Sequence, residues 1–383
     1  MNDTAVSSGN SAHTNIFTIL RKEILRGKFE ASRKFPSEHQ LMRRFRVSRS
    51  TVRLALEKLK QDGILETRNG SGTYLSPLAK RVTGLLGLIV PHIAGGEIAT
   101  PVCSEISKVA SEAGYTLLFG NASSEIDDVR AQRFMTLAWD YVSHGVAGVF
   151  IEPIERVPNM SSVTMRVISF LEDHHIPVIL LDRDIVPPPE RSRYDLVTLD
   201  NVQIGYRLAT HLIQRGAKSI CLFGMENSAP TVTLRFQGAR EAILDAGFAW
   251  RRSNIHYGDP DDISAVQKLF TGRGRPDAFL CANDITAVSL MNTLRRLGKN
   301  VPGDILITGV DDVQVAATST PPLTTVHQPC KEIARAAVAA MLQRLRDPSL
   351  PPRQILLDAE LIVRASTERR KIKGQTLQKS EIS

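Results

Sequence analysis

KFPSEHQLMRRFRVSRSTVRLALEKLKQDGILETRNGSGTYL, residues 34–75, is the stretch from which the rest of the chain is read. Pro36-Ser37 followed by Glu38 and His39 is a helix-start signal, and Leu41, Met42 and Phe45 behind it fall on one helical face. RVS is long enough only for a turn. Ser48 then stands as the N-cap of a second helix, in which Val52, Leu56 and Leu59 repeat at helical spacing until Gly63 stops it. ILETRNGSGTYL carries β-formers on both sides of Asn69-Gly70, a strong hairpin signal. Helix, turn, helix, hairpin is the order of a winged helix-turn-helix.

Arg49, Ser50, Thr51 and Arg53 cluster in the first turns of the second helix, off its apolar stripe. A helix fits the major groove of B-DNA, and residues near its N-terminus reach base edges. Arg49 and Arg53 are each suited to grip guanine through two hydrogen bonds. Ser50 and Thr51 suit phosphate oxygens, beside the free amides of the helix start. The hairpin tip Arg68-Asn69-Gly70 is expected to lie along the neighbouring backbone or minor groove. A small helical subdomain with a solvated basic face would account for the charge. It would not account for the helix spacing and the hairpin together.

PSE, the following Leu, VSRSTVRLALEKLKQDGIL and GSGTYL resemble GntR-type DNA-binding domains nearly position for position. The resemblance implies operator contacts at Arg49, Ser50, Thr51, Arg53 and the Asn69-Gly70 wing tip. Where that family usually has Arg, two residues past the Ser of PSE, this chain has His39, so the departure implies a lost or weaker contact there.

At 383 residues the chain is too long for one core and is expected to hold two or three domains. Its net charge of +8 is unevenly placed. Residues 1–83 hold 16 Lys and Arg against 7 Asp and Glu, and the remainder holds 32 against 33. The basic excess therefore sits in the piece read as DNA-binding, where a polyanion would want it. Cys103, Cys221, Cys281 and Cys330 are far apart, so buried thiols are expected rather than a metal site or redox pair. The polar MNDTAVSSGNSAHT, with no Lys or Arg and no apolar run, does not read as a signal peptide, and GLLGLIV is too short to cross a bilayer. A cytoplasmic protein with no cofactor, no metal and no membrane contact is expected.

Residues 1–13 read as disordered. Residues 15–29 read as an amphipathic helix with Ile16, Ile19, Leu20, Ile24 and Leu25 inward. The expected domains are a winged helix-turn-helix over 1–76, a linker over 77–84, a two-lobed body over 85–366 and a disordered tail over 367–383. From Gly84 the texture changes to apolar strands alternating with helices, which means parallel sheets covered on both faces, an α/β class. Two such series run in succession, from GLLGLIV to YDLVTLD and from SICLFG to ILITGVDD. LTTVHQP reads as a crossing back, CKEIARAAVAAMLQRLRD as a last long helix and RQILLDAELIVRAS as a closing hairpin. Two α/β lobes with a cleft between them are expected.

In open α/β sheets ligands bind beyond the carboxyl ends of the strands. His92, Glu152, Asp182-Arg183, Asn283-Asp284 and Asp311-Asp312 end five of these strands, and Arg235 begins the helix after SICLFG. Any one of them alone could equally be a helix cap or an ion pair. Their convergence on one cleft favours a site, in which rigid Arg donors and acceptor-only Asp groups match a pattern of hydroxyls.

IPVILLDR, LVTLDNVQIGYRLATHLIQRGAKSICLFG, RFQGAREAILDAG, CANDITA, ITGVDDVQVA and PPLTTVHQP resemble, in order, the LacI/GalR regulators and their periplasmic sugar-binding relatives. The resemblance implies a periplasmic-binding-protein-like fold and a sugar or sugar-like effector touching Asp182, Arg183, Arg235, Asp284, Asp311 and Gln328, with His92 and Glu152 beside them. Glu152 departs from that family, which more often has Asn or another small polar residue there. The head departs too, because LacI-type members carry a different helix-turn-helix and a hinge helix. A GntR-type head on a LacI-type body is the architecture of arabinose-type repressors. It implies a homodimeric repressor on a double-stranded operator, with a monosaccharide effector such as a pentose. The competing readings are a sugar-acting enzyme and a transport binding protein. The first lacks a P-loop, a G-x-S-x-G and metal-ligand spacing. The second has no place for the basic head.

Overall fold

The computed structural model describes residues 15–21, 23–24, 28–29, 34–61, 64–68, 71–76, 84–91, 98–124, 126–154, 160–271 and 275–368. The expected N-terminal and C-terminal disorder, Leu25, Gly63, the Asn69-Gly70 tip, most of the linker and His92 lie outside the described residues.

The head is built on α1 (residues 15–21, continuing at 23–24), α2 (Glu38–Phe45) and α3 (Arg49–Gln61). Ser37 caps α2 in a capping box: its Oγ accepts from Gln40 N at 3.3 Å and Gln40 Oε1 accepts from Ser37 N at 2.8 Å. Ser48 starts α3, its Oγ accepting from Thr51 N at 3.3 Å. Ile16, Phe17, Leu20 and Ile24 of α1 close over Leu41, Val52, Leu56 and Leu59 in one small core. β1 (Leu65–Arg68) and β2 (Gly72–Leu75) form the expected antiparallel hairpin, with Arg68 opposite Gly72. Lys34-Phe35 pairs with β2, Phe35 N donating to Thr73 O at 2.8 Å, and so ties the wing to the approach to α2.

The body has two parallel sheets. The first lobe contains β3 (Gly84–Val90), α4 (Ala99–Glu112), β4 (Tyr115–Asn121), α5 (Asp127–Ser143), β5 (Gly148–Ile151), α6 (Met160–Asp173), β6 (Val178–Leu181) and β7 (Asp195–Leu199). The second contains α7 (Asn201–Gln214), β8 (Ile220–Gly224), α8 (Pro230–Asp245), β9 (Ile255–Tyr257), α9 (Ile263–Lys268), β10 (Ala278–Cys281), α10 (Asp284–Arg296), β11 (Leu306–Thr308) and α11 (Gln314–Thr318). β12 (Thr325–Val326) and α12 (Cys330–Arg346) carry the chain back, followed by β13 (Gln354–Leu357) and β14 (Leu361–Ile362). The sheet orders are β13-β7-β6-β5-β3-β4 and β11-β10-β8-β9. Strands β5, β6, β8 and β10 are buried along their whole length, as strands covered on both faces must be.

Two sequence readings of the body are corrected. RQILLDAELIVRAS is not a hairpin: β13 joins β7 in parallel and β14 joins β12 antiparallel, in a different sheet. A local turn signal marks where the chain bends, but the open edge of β7 decides where β13 pairs. The chain thus crosses between lobes three times, after β7, after β11 and after β13. Thr367, assigned from sequence to the tail, is fully buried, with its Oγ1 2.9 Å from His211 Nε2.

Within the second lobe α7 and α8 approach backbone to backbone. A Cβ on Gly205 would stand 1.8 Å from Arg235 O, and one on Gly238 would stand 1.8 Å from Val202 O. Both positions require glycine for that reason.

Candidate functional site

On the head, Arg49, Ser50 and Arg53 are exposed and Thr51 half-buried at the start of α3. Ser48 Oγ lies 2.8 Å from both Ser50 Oγ and Thr51 Oγ1, which fixes the two hydroxyls beside the helix start. Arg49 Nε donates to Glu38 Oε2 at 2.7 Å, Arg53 Nε to Glu57 Oε1 at 3.0 Å and Arg68 Nε to Glu66 Oε1 at 2.9 Å. Arg68 also covers the Tyr74 ring at 4.6 Å. Exposed pairs of this kind contribute about 0–1 kcal/mol, so a phosphate or a guanine can take over each guanidinium. His39 is exposed on α2. Arg43 and Arg44 in the last turn of α2, Arg49 and Arg53 early in α3 and Arg68 in β1 are exposed cations of the head.

In the body, strand ends from both sheets meet around a cleft of about 190 Å³. The first lobe brings Glu152 after β5 and Asp182 and Arg183 after β6. The second brings Arg235 from α8, Asn283 after β10 and Asp311 after β11, and Gln328 enters from the returning crossing. Arg183, with only 7% of its side chain exposed, is clamped by two carboxylates. Its Nη2 donates to Glu152 and its Nε to Asp182 Oδ2 at 2.8 Å. Arg235 is buried and donates from Nη1 to Ala282 O at 2.9 Å and from Nη2 to Thr231 Oγ1 at 3.2 Å. Gln328 Nε2 donates to Asp311 Oδ1 at 2.8 Å. Asp182 (φ 66°) and Asp311 (φ 119°) have left-handed backbones, a strain that clusters at ligand sites.

Asp284 is the residue that the cleft does not contain. It is fully buried behind the cleft, where Oδ1 accepts from Thr325 Oγ1 at 2.6 Å and Oδ2 from Val313 N at 3.1 Å. Burial first, and then the nearby Asp311 charge, push its carboxyl up to about 8. The polar group that lines the cleft from this strand end is Asn283, which also caps α10 through Thr286 N at 2.9 Å. Asp284 satisfies buried backbone instead of facing the ligand space, because helix α10 begins there and turns it under Gly309. A Cβ on Gly309 would stand 2.2 Å from Asp284 Oδ1.

Sequence reasoning also passed over Thr231, Ser228, Thr198 and Cys103 in the lining. They are small residues with no sequence pattern of their own, and only the tertiary packing of α4 (Cys103), β7 (Thr198) and the start of α8 with the loop before it (Thr231, Ser228) brings them together. Burial pushes the Cys103 thiol up to about 12, with Glu152 adding to it, so it presents an unreactive neutral wall. Among the described residues, no group of three His, Cys, Asp or Glu is placed to hold a metal ion, and no helix is long and apolar enough to cross a membrane.

Two stretches of the chain match known families. Residues 12–75 match the gntR family of bacterial regulatory proteins and residues 209–367 a periplasmic binding protein-like domain. The arabinose metabolism transcriptional repressor of Geobacillus stearothermophilus is 27% identical over 363 residues, covering 90% of this chain and 94% of its own. The HTH-type transcriptional regulator CelR of Thermobifida fusca is 26% identical over 296 residues, covering 76% and 83%. Among solved structures, a CelR–cellobiose complex aligns with a TM-score of 0.63 at 23% identity, over 84% of this chain and 91% of that one. The lac repressor dimer bound to operator and an anti-inducer aligns at 0.59 and 20% identity, over 74% and 93%. The chain is a DNA-binding transcriptional regulator, with a winged helix-turn-helix head that matches the gntR family joined to a periplasmic-binding-protein-like body.

Proposed function

We propose that this regulator is a cytoplasmic, homodimeric repressor without enzymatic activity, which holds a near-palindromic operator through two heads and senses a monosaccharide in the cleft of its body. The observation that carries the reading is the meeting of Asp182 and Arg183 from one lobe with Arg235, Asp311 and Gln328 from the other around a single-ring-sized space. A ligand bonded to both lobes favours their closure, and closure alters the spacing of heads fixed to a dimer. Ligand and operator affinities are then coupled reciprocally.

In the head, Arg49 and Arg53 are assigned to base edges and Ser50 and Thr51 to phosphates. His39, Arg68 and the Asn69-Gly70 tip are assigned to the flanking backbone or minor groove. In the body, Asn283 replaces Asp284 as a ligand contact, beside Asp182, Arg183, Arg235, Asp311 and Gln328. The head is assigned to residues 1–76 and the body to residues from 85 on. The repressor from Geobacillus stearothermophilus is named for arabinose metabolism, which favours a pentose effector here.

Two substitutions in the full chain test this reading. Arg49→Ala is expected to abolish sequence-specific operator binding while sugar still raises the thermal midpoint. Arg235→Met is expected to keep operator binding and lose the sugar response. Retained operator affinity in the first would remove α3 as the recognition helix, and a retained response in the second would remove the cleft as the sensor.

A further inference from the structure

The reading of the cleft as an effector site can be taken further, to the chemistry of what it accepts. We propose that Glu152 makes the cleft selective for an uncharged, single-ring polyol, and against its phosphate esters, by keeping the Arg183 guanidinium occupied. This inference rests on the sugar-sensor reading and deepens it.

Three carboxylates, Glu152, Asp182 and Asp311, and two guanidiniums, Arg183 and Arg235, line the space. Their sum is one negative charge. Both cations already have partners. Arg183 lies between Glu152 and Asp182, and Arg235 donates to Ala282 O and Thr231. Two carboxylates more than neutralise the buried Arg183 guanidinium, and with Asp311 they outweigh Arg235 as well, so an incoming anion meets no net positive charge. A phosphate on Arg183 would have to displace Glu152 or Asp182, and Glu152, with 19% of its side chain exposed, would lose its cation at a largely buried position.

The acceptors point the same way. Ionised carboxylates only accept hydrogen bonds, so the ligand must bring donors. Sugar hydroxyls supply them, whereas a phosphate ester adds acceptors. The volume of about 190 Å³ lies below the roughly 300 Å³ at which drug-sized sites begin, which leaves room for one ring and not two. Val102, Val197 and Ile333 give the C–H face of a ring an apolar wall.

Thermal melting of the full chain tests this with arabinose, ribose, xylose, glucose and galactose. Each is measured as the free sugar and as its terminal phosphate ester. A free sugar should raise the midpoint, and its phosphate should bind at least about tenfold more weakly, as expected for a charge brought up against like charge. Glu152→Gln removes one negative charge and releases Arg183, and should narrow that gap by about tenfold or more. Asp182→Asn relieves the same clamp from the other side and gives the same readout if Glu152→Gln does not fold. A phosphate that binds wild type as well as its free sugar overturns the selectivity and leaves the sensor reading intact. An undiminished gap in both variants overturns the role of the clamp. No shift with any sugar, free or phosphorylated, overturns the sugar-sensor reading and this inference with it.

Discussion

Asp284 shows how little a residue's type says about its role. CANDITA puts an aspartate at a strand end, where a ligand contact is expected. The chain instead turns it inward, onto Val313 N and Thr325 Oγ1. That position has a thermodynamic consequence. In the folded protein Asp284 holds its proton up to about pH 8, against 3.8 for an ordinary aspartate. Between those values the native state binds more protons than the unfolded chain, so stability falls as pH rises through the window. Asp284→Asn removes the titration while its carboxamide oxygen still accepts a hydrogen bond. Denaturant unfolding of wild type is therefore expected to lose stability between about pH 5 and about pH 8 relative to the variant. Parallel pH profiles would show that another group titrates there. Ser37 and Ser48 are the opposite case. Their caps were legible in sequence because a cap bonds to amides within three residues.

At the scale of elements, regular structure followed from periodicity, while close contacts between elements did not. Gly205 and Gly238 sit inside α7 and α8, where a sequence reading counts them only as weak helix formers. The packed pair makes them necessary. Gly238→Ala would gain about 1 kcal/mol in helix propensity. Its Cβ would meet the Val202 carbonyl, a backbone atom that cannot swing aside, at an overpacking cost of about 3 kcal/mol. A net loss of about 2 kcal/mol in unfolding free energy is expected. A neutral or stabilised variant would mean that the helices can separate. The β13–β14 segment teaches the same lesson for strands. Alternation and a polar DAE turn predict two strands correctly, but nothing local says that they belong to different sheets.

Across the whole molecule, the decisive feature is that α12 and β13 return to the first lobe. Asp195, wholly buried at the start of β7, is where that return is fastened. Arg344 of α12 donates to its carboxylate at 2.9 Å and Arg353, just before β13, at 3.3 Å. Asp195→Ala would remove the carboxylate that the two guanidiniums share. A loss of about 3 kcal/mol is expected, near the lower end for a broken buried pair because Arg353 is partly exposed. Equilibrium unfolding with and without the cleft ligand would measure it. A change under about 1 kcal/mol would show that α12 and β13 are held by apolar packing alone.

The sequence by itself determined the head, the α/β class of the body and the strand ends at which a cleft could form. Those are properties of short range: caps, turns, periods of 3.6 and 2, and charge gathered in one segment. Only the tertiary structure decided that three crossings join the lobes, that Arg183 is held between Glu152 and Asp182, and that Asn283 and not Asp284 faces the ligand space. These depend on contacts between residues up to some 150 positions apart, such as Asp195 with Arg344. Such contacts are chosen by which sheet edges and apolar faces remain open once the local elements have formed, and no local pattern encodes that choice.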